Sequence, residues 1–342
     1  MSHIDIRLLR DIMLSNMKIL ITGSAGFIGH HLAKDFLAEG HEVIGVDSLN
    51  EYYDPALKLR RNELLSGEGK YKFIKADISD FDTFSAIVDR ELPALIIHLA
   101  AQAGVRYSLV NPWAYEQANT LGTINVFEAA RKAKIKRVIF ASSSSVYGAN
   151  TKIPFSESDV TDSPVSLYAA TKKSCELIAK TYHHLYGIET AGLRFFTVYG
   201  ELYRPDMALF SFAKNMLQDK PIKLFNNGKM KRDYTFITDI VAGIKGAAFK
   251  ESLGFEIYNI GGDNPVDLGR VVELLEIGLG KKAIIEYLPM QAGDVEITYA
   301  DVSKARRELG FSPATKIEDG IAVFCSWFVE NKEWLLKLKN QA

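Results

Sequence analysis

Tyr168 and Lys172 stand four residues apart in the run SLYAATKK (166–173). If that run is helical, the two side chains share a face. Tyrosine titrates near pH 10, so it is a poor base at neutral pH unless a neighbouring cation favours its phenolate. An ammonium one helical turn away is such a cation, provided a ligand covers the pair. A third group is on offer in FASSSSVYG (140–148), where Ser142, Ser143, Ser144 and Ser145 present consecutive hydroxyls after an apolar run. A hydroxyl held beside a phenolate can bond a substrate alcohol and orient its proton for transfer. We assign that work to Ser143; Ser142 stands evenly between it and satisfying nearby backbone groups.

Such a set needs a rigid frame, and the flanking sequence supplies one. MKILIT (17–22) is an apolar run of strand length, GSAGFIG (23–29) follows it, and an amphipathic helix runs through about Glu39. Gly23 permits a tight turn, Gly26 lets the backbone approach a pyrophosphate, and Gly29 lets the helix pack closely on the strand. Free amides at the helix start, around Phe27 and Ile28, would receive the anion. EVIGVD ends at Asp47, about 20 residues after the glycine loop, where an acid accepts hydrogen bonds from the adenosine ribose. A 2′-phosphate would be repelled there, so NAD is preferred over NADP.

The alternation continues with strands YKFIKADI (71–78), ALIIHLA (94–100) and RVIFASS (137–143), and with helices over 81–90 and near 113–132. Strands alternating with helices predict an α/β fold, a doubly wound parallel (Rossmann) sheet. Ligands gather at the carboxyl ends of such strands. Asp77 and Ile78 then fall at the adenine edge, and Ala100, Ala101 and Gln102 line the cofactor groove, with Asn119 placed beside them. His98 precedes that edge and reads as a structural core residue. Beyond the strand ETAGLRFFTVYG (189–200) the chain becomes loop-rich, which suggests a smaller α/β substrate-binding C-terminal lobe. The expected division is 17–197 together with 236–262 for the NAD-binding domain, and 198–235 together with 263–342 for the lobe. The strand-like FEIYNIGG (255–262) would return to the large sheet. Residues 1–16 form an extension, an extra helix or a misassigned start. It is not a signal peptide, because Asp5, Arg7, Arg10 and Asp11 interrupt any apolar core.

Composition narrows the function classes. Of 342 residues 47% are hydrophobic, and 41 Lys and Arg nearly balance 42 Asp and Glu, so nothing points to a nucleic-acid or membrane partner. Two cysteines, Cys175 and Cys325, fit neither a disulfide framework nor metal-ligand spacing, which suits a reducing cytoplasm. No apolar run has the length needed to cross a bilayer.

Together, GSAGFIG, SSSSVYG, the Tyr168/Lys172 pair and LRFFTVYG resemble the extended short-chain dehydrogenase/reductase superfamily, in particular its nucleotide-sugar epimerases, over nearly everything from Met17 onward. More narrowly, AGVRYSLVNP, PVSLYAATKKS, RPDMALF, KMKRDYTFITDI and GDVEITYAD are similar to the UDP-glucuronate 4-epimerases. The resemblance implies a tightly held NAD, reduced and reoxidised within one turnover. It also implies conversion of UDP-glucuronate to UDP-galacturonate through a transient 4-keto sugar, serving polysaccharide biosynthesis. Tyr168 would be the base at the sugar 4-hydroxyl, Lys172 would bind the nicotinamide ribose, and Ser143 would hydrogen-bond the 4-hydroxyl. Arg232 matches a diphosphate-binding arginine and Asp294 a position that meets the uridine ribose. Arg204, in RPDMA, would lie beside the sugar carboxylate, with Thr197, Ser144 and Ser145 adding hydrogen bonds. A guanidinium grips a planar carboxylate bidentately; held out of line with the C4 carbonyl, that group would not leave as carbon dioxide. The family also implies a homodimer that pairs the helix near 113–132 with the Tyr168 helix.

The loop before Arg204 departs from the family. It reads YGELYRPDMA, with Glu201 and Tyr203 where proline and glycine are common. Glu201 would bring negative charge toward a carboxylate site, and Tyr203 would bring bulk. Other members of the superfamily remain open as readings: 4-epimerases of UDP-glucose or UDP-N-acetylhexosamines, and UDP-glucuronate decarboxylases. Sugar dehydratases and decarboxylases typically carry an acid in the serine loop, where this chain has Ser144 and Ser145, and a dehydratase needs that acid to eliminate water. A non-catalytic NAD-binding scaffold is a further alternative, against which the intact Tyr168, Lys172 and Ser143 argue.

Overall fold

The structure, a computed structural model, describes residues 16–290 and 296–339. Its N-terminal part alternates strand and helix: β1 (Lys18–Thr22), α1 (Phe27–Ala38), β2 (Glu42–Asp47), α2 (Pro55–Ser66), β3 (Tyr71–Lys75), α3 (Phe81–Glu91) and β4 (Leu95–His98). Then come α4 (Pro112–Tyr115), a π-helical turn (Glu116–Leu121), α5 (Gly122–Lys132), β5 (Arg137–Ser143), α6 (Leu167–Tyr186) and β6 (Glu189–Phe195). These strands and β10 (Phe255–Ile260) form one parallel sheet in the order β3-β2-β1-β4-β5-β6-β10. The reversal of strand order between β1 and β4 opens a crevice at their carboxyl ends, where ligands bind in such sheets.

Burial explains the sequence pattern strand by strand. In β4 every residue is buried, and in β1 and β6 all but the first. Helices cover both faces of such a sheet, so its central strands read as unbroken apolar runs. Edge strand β3 keeps exposed lysines at Lys72 and Lys75. It is also shorter than the 71–78 run suggests, so Asp77 and Ile78 lie just past its end.

Two further corrections concern continuity. The run 189–200 is two strands in different sheets: β6 pairs with β5 and β10, whereas β7 (Thr197–Tyr199) pairs with β9 (Lys231–Phe236). Phe196 makes the switch, its amide bonded to the Ile260 carbonyl at 3.2 Å. The helix near 113–132 is interrupted by the π turn, which places the buried Asn119 at the sheet edge.

The remaining elements are α8 (Ile237–Ala248), which packs on α1 against the large sheet, and, in the smaller part of the chain, α7 (Ala208–Leu217), β8 (Ile222–Leu224), β9, β11 (Pro265–Asp267), α9 (Leu268–Leu279), β12 (Ile285–Tyr287), α10 (Ser303–Leu309), α11 (Ile317–Glu330) and α12 (Lys332–Leu335). Strands β11, β9 and β7 form a three-stranded sheet, and β12 pairs with β8. Among the described residues no helix is long and apolar enough to cross a membrane.

Candidate active site

A cleft of about 890 Å³ runs along the carboxyl ends of the large sheet and beneath the loops of the smaller part. Its walls include Gly23, Gly26, Phe27, Ile28, Gly29, Asp47, Asp77, Ile78, Ala100, Ala101 and Gln102 on one side. Ser143, Ser144, Ser145, Tyr168, Lys172, Thr197, Arg204 and Arg232 line the rest. Residues that the sequence scatters over two hundred positions thus share one cavity. Asp294 lies outside the described residues, as do residues 1–15 of the N-terminal extension.

The glycine loop is built as a cradle. Gly23 has φ +73°, in the left-handed region, and a β-carbon there would sit 2.7 Å from the Ala100 amide nitrogen. At Gly29 a β-carbon would lie 2.2 Å from the Gly23 carbonyl oxygen, so only glycine lets the helix begin this close to the turn. No side chain caps the N-terminus of α1, and its first turn carries no acid. Those amides can therefore receive an anion. Asp47 ends β2 and accepts hydrogen bonds from Leu49 N at 2.8 Å and Ala25 N at 3.2 Å. Burial pushes its carboxyl above the usual range, while the amide bonds and the Lys58 charge work against that shift. A glycine cradle followed by a strand-end acid fits a dinucleotide diphosphate and its adenosine ribose.

At the other end of the cleft, α6 carries Tyr168 and Lys172. Ser166 caps it by accepting from Ala169 N at 3.1 Å, which fixes where the helix begins and so where Tyr168 points. Lys172 is buried, and its Nζ donates to the Ala141 carbonyl of β5 at 2.8 Å. Half-buried Tyr168 meets Tyr115 edge-on at 6.0 Å. Ser143 closes β5 and accepts from Ser145 N at 3.1 Å, so its own O–H remains available to donate. The even choice at Ser142 resolves toward structure, because its hydroxyl donates to buried Glu176 at 2.6 Å. His98 is a core residue bonded to Thr22 and Thr123 Oγ1, and burial pushes its pKa down to about 3.

Asn119 needs correcting. It is buried behind the groove and forms no part of the cleft wall. Its amide accepts from Gln102 N at 2.9 Å and donates to Gln102 O at 3.1 Å and Thr171 Oγ1 at 3.0 Å. With those bonds made, it shapes the groove through Gln102.

Arg204 faces the cleft but is already paired. Its Nε and Nη2 donate to Asp206 at 3.0 and 2.5 Å, and the Tyr52 ring lies 5.9 Å away. Burial opposes the charge, yet Asp206 raises the guanidinium above its ordinary value. The guanidinium edge that would grip a carboxylate is thus partly taken. Arg232 is held by the Lys231 and Glu296 carbonyls. Glu201 is not a wall of the cleft, whereas Tyr203, only 2% exposed, lines it.

Sequence reasoning passed over Tyr52, Lys58 and Asp206, all of which line the cleft. Lys58 donates to the Asn50 carbonyl and side chain at 2.7 and 2.6 Å, and burial drives its pKa down to about 8. The available signal for Tyr52 and Lys58 was position: NEYYDPALK begins three residues after Asp47, on the ligand-binding edge of the sheet.

Comparison with known proteins gives a consistent picture. Residues 19–261 match the NAD dependent epimerase/dehydratase family. An uncharacterised protein of Methanocaldococcus jannaschii is 56% identical, over 94% of this chain and 98% of its own. A UDP-glucuronate 4-epimerase of Thermodesulfobacterium geofontis is 44% identical, over 94% of this chain and 98% of its own. Among solved structures, the UDP-glucuronic acid 4-epimerase of Bacillus cereus, in complex with UDP-glucuronic acid and NAD, superposes with a TM-score of 0.87. It is 34% identical and covers 92% of this chain and all of its own.

Proposed function

The chain belongs to the NAD dependent epimerase/dehydratase family, and we propose that it interconverts UDP-glucuronate and UDP-galacturonate by 4-epimerisation. The observation that carries this reading is the opening of Tyr168, Lys172 and Ser143 onto the same cleft as Arg204, a cation suited to a sugar carboxylate. The glycine cradle, Asp47, and the cleft walls at Asp77, Ile78 and Ala100 to Gln102 would hold NAD. When bound, NAD supplies reversible oxidation at carbon 4 of the sugar, giving a transient 4-keto sugar.

The protein side chains then have distinct tasks. The Tyr168 oxygen takes the 4-hydroxyl proton and returns it, and Ser143 donates a hydrogen bond to the sugar 4-oxygen. Lys172, anchored on Ala141, supplies a fixed positive charge one turn along the helix and bonds the nicotinamide ribose. Arg232 holds the diphosphate, so binding remote from the reacting carbon keeps the nucleotide in place while the sugar turns over. Arg204, braced by Asp206, meets the carboxylate with Thr197, Ser144 and Ser145 and keeps it out of line with the carbonyl.

We extend the proposal to assembly and place. Leu121, Ile124, Leu177 and Leu185 are 38–58% exposed, along the helical run containing α5 and along α6, which supports a homodimer formed through those helices. Two buried free thiols support a cytoplasmic setting, and the presence of β6 and β10 in one sheet and of β7, β9 and β11 in another supports a division of the chain near 197, 236 and 262 into dinucleotide and sugar domains. Incubating the purified protein with UDP-glucuronate, UDP-glucose and UDP-N-acetylglucosamine tests the function: only the first should be isomerised. Turnover of a neutral sugar, with none of the uronate, would overturn it.

A further inference from the structure

The loop that carries Arg204 is held by a residue of the cofactor domain. Arg61, on α2, is wholly buried. Its Nε and Nη2 both donate to the Leu202 carbonyl, at 3.1 and 2.6 Å. Its Nη1 donates to the Ala25 carbonyl inside the glycine loop at 3.1 Å and to the Tyr53 hydroxyl at 2.7 Å. One guanidinium thus spans the dinucleotide loop and the sugar loop.

The sugar loop needs such a hold. Leu202 has φ +53°, in the left-handed region that residues with a side chain rarely adopt. The fork lands on the carbonyl of that residue. Tyr203 makes a second contact between the loops, its ring edge-on to Phe27 at 5.0 Å and 6.4 Å from Phe324. Only a planar, five-donor group can serve three oxygens in these directions at once; a lysine ammonium is a single point with a different reach.

We propose that Arg61 is a positioning residue for sugar recognition: it locks Leu202 to the glycine loop and thereby sets Arg204 at a fixed distance from the dinucleotide. The inference rests on Arg204 being the carboxylate-binding group. It concerns geometry, since Arg61 itself is not a wall of the cleft.

The test is Arg61→Lys in the NAD-loaded enzyme, comparing KM for UDP-glucuronate with the inhibition constant of UDP-glucose, which has no carboxylate. KM should rise at least about tenfold, the size of one lost charge-assisted contact, while inhibition by UDP-glucose stays near wild type. Tyr203→Ala, which removes the second contact between the loops, should show the same split and decides the matter if Arg61→Lys does not fold. Equal weakening of both sugars, or an unchanged KM, would overturn the role of Arg61. A wild-type enzyme that binds both sugars alike would instead overturn the assignment of Arg204.

Discussion

Glu176 and Arg194 form an ion pair beneath the active site, each side chain 4% exposed. Arg194 Nε and Nη2 reach the two carboxylate oxygens at 2.8 and 2.9 Å, and Ser142 Oγ donates to the same carboxylate at 2.6 Å. The pair ties β6 to α6 one turn beyond Lys172, and ties both to β5 one residue before Ser143. Burial opposes the Arg194 charge, and Glu176 more than restores it. Glu176→Ala would leave that cation buried without its partner, which costs about 3–5 kcal/mol. Removing both charges, as in Glu176→Met with Arg194→Met, leaves no uncompensated ion and should recover most of the loss. Urea unfolding of the three proteins measures this, and turnover of the single variant should fall in kcat more than in KM, because Ser143 and Lys172 lose their brace. A single-variant loss below about 1 kcal/mol, or a double variant no more stable than the single one, would refute the view that this pair is dry and structurally committed.

Other expectations follow from the same geometry. Tyr168→Phe keeps the ring and its contact with Tyr115 but removes the acid–base oxygen, so turnover should drop by about 10²–10⁴. Calorimetric binding of UDP-glucuronate should hardly change, and unchanged turnover would sink the mechanism. Gly29→Ala puts a methyl 2.2 Å from the Gly23 carbonyl, so the cradle must open. The protein should fold yet lose its NAD on gel filtration, as measured by nucleotide released on denaturation. His98 has a folded-state pKa of about 3 against 6.5 in the open chain. Above pH 6.5 both forms are neutral; below it the unfolded chain takes up the proton first, so stability is lost by about 1.4 kcal/mol per pH unit down to about pH 3. His98→Asn removes that loss, and its stability difference from wild type should shift toward the variant as the solution is acidified. A difference constant between pH 6.5 and 4 would contradict the burial argument.

Much of the site was legible because the relevant signals are local. Strand, glycine turn, helix, strand and acid occupy residues 17–47, where period and spacing dictate backbone shape without help from distant residues. Tyr168 and Lys172 were readable for the same reason, since one helical turn sets their relation. Ser142 and Asn119 were less so: both have the residue type of a ligand contact, and each spends its polar atoms on a partner remote in sequence, Glu176 and Gln102. The false continuity of 189–200 has a similar origin. Nothing in its β-forming composition says that the partner strand changes at Phe196.

By itself the sequence determined the chemistry available and the local frame: an acid–base tyrosine with its lysine, a dinucleotide loop, and strands able to be buried on both faces. The tertiary structure decided which groups are free to act. Asp206 sits on Arg204, and Arg61 reaches a carbonyl 141 residues away. The long-range bond of Arg61, and the loop shape that brings Asp206 onto its neighbour Arg204, are chosen by how helices and loops pack over the sheet. A charged side chain in a linear sequence carries no mark of the partner it will find once water is excluded.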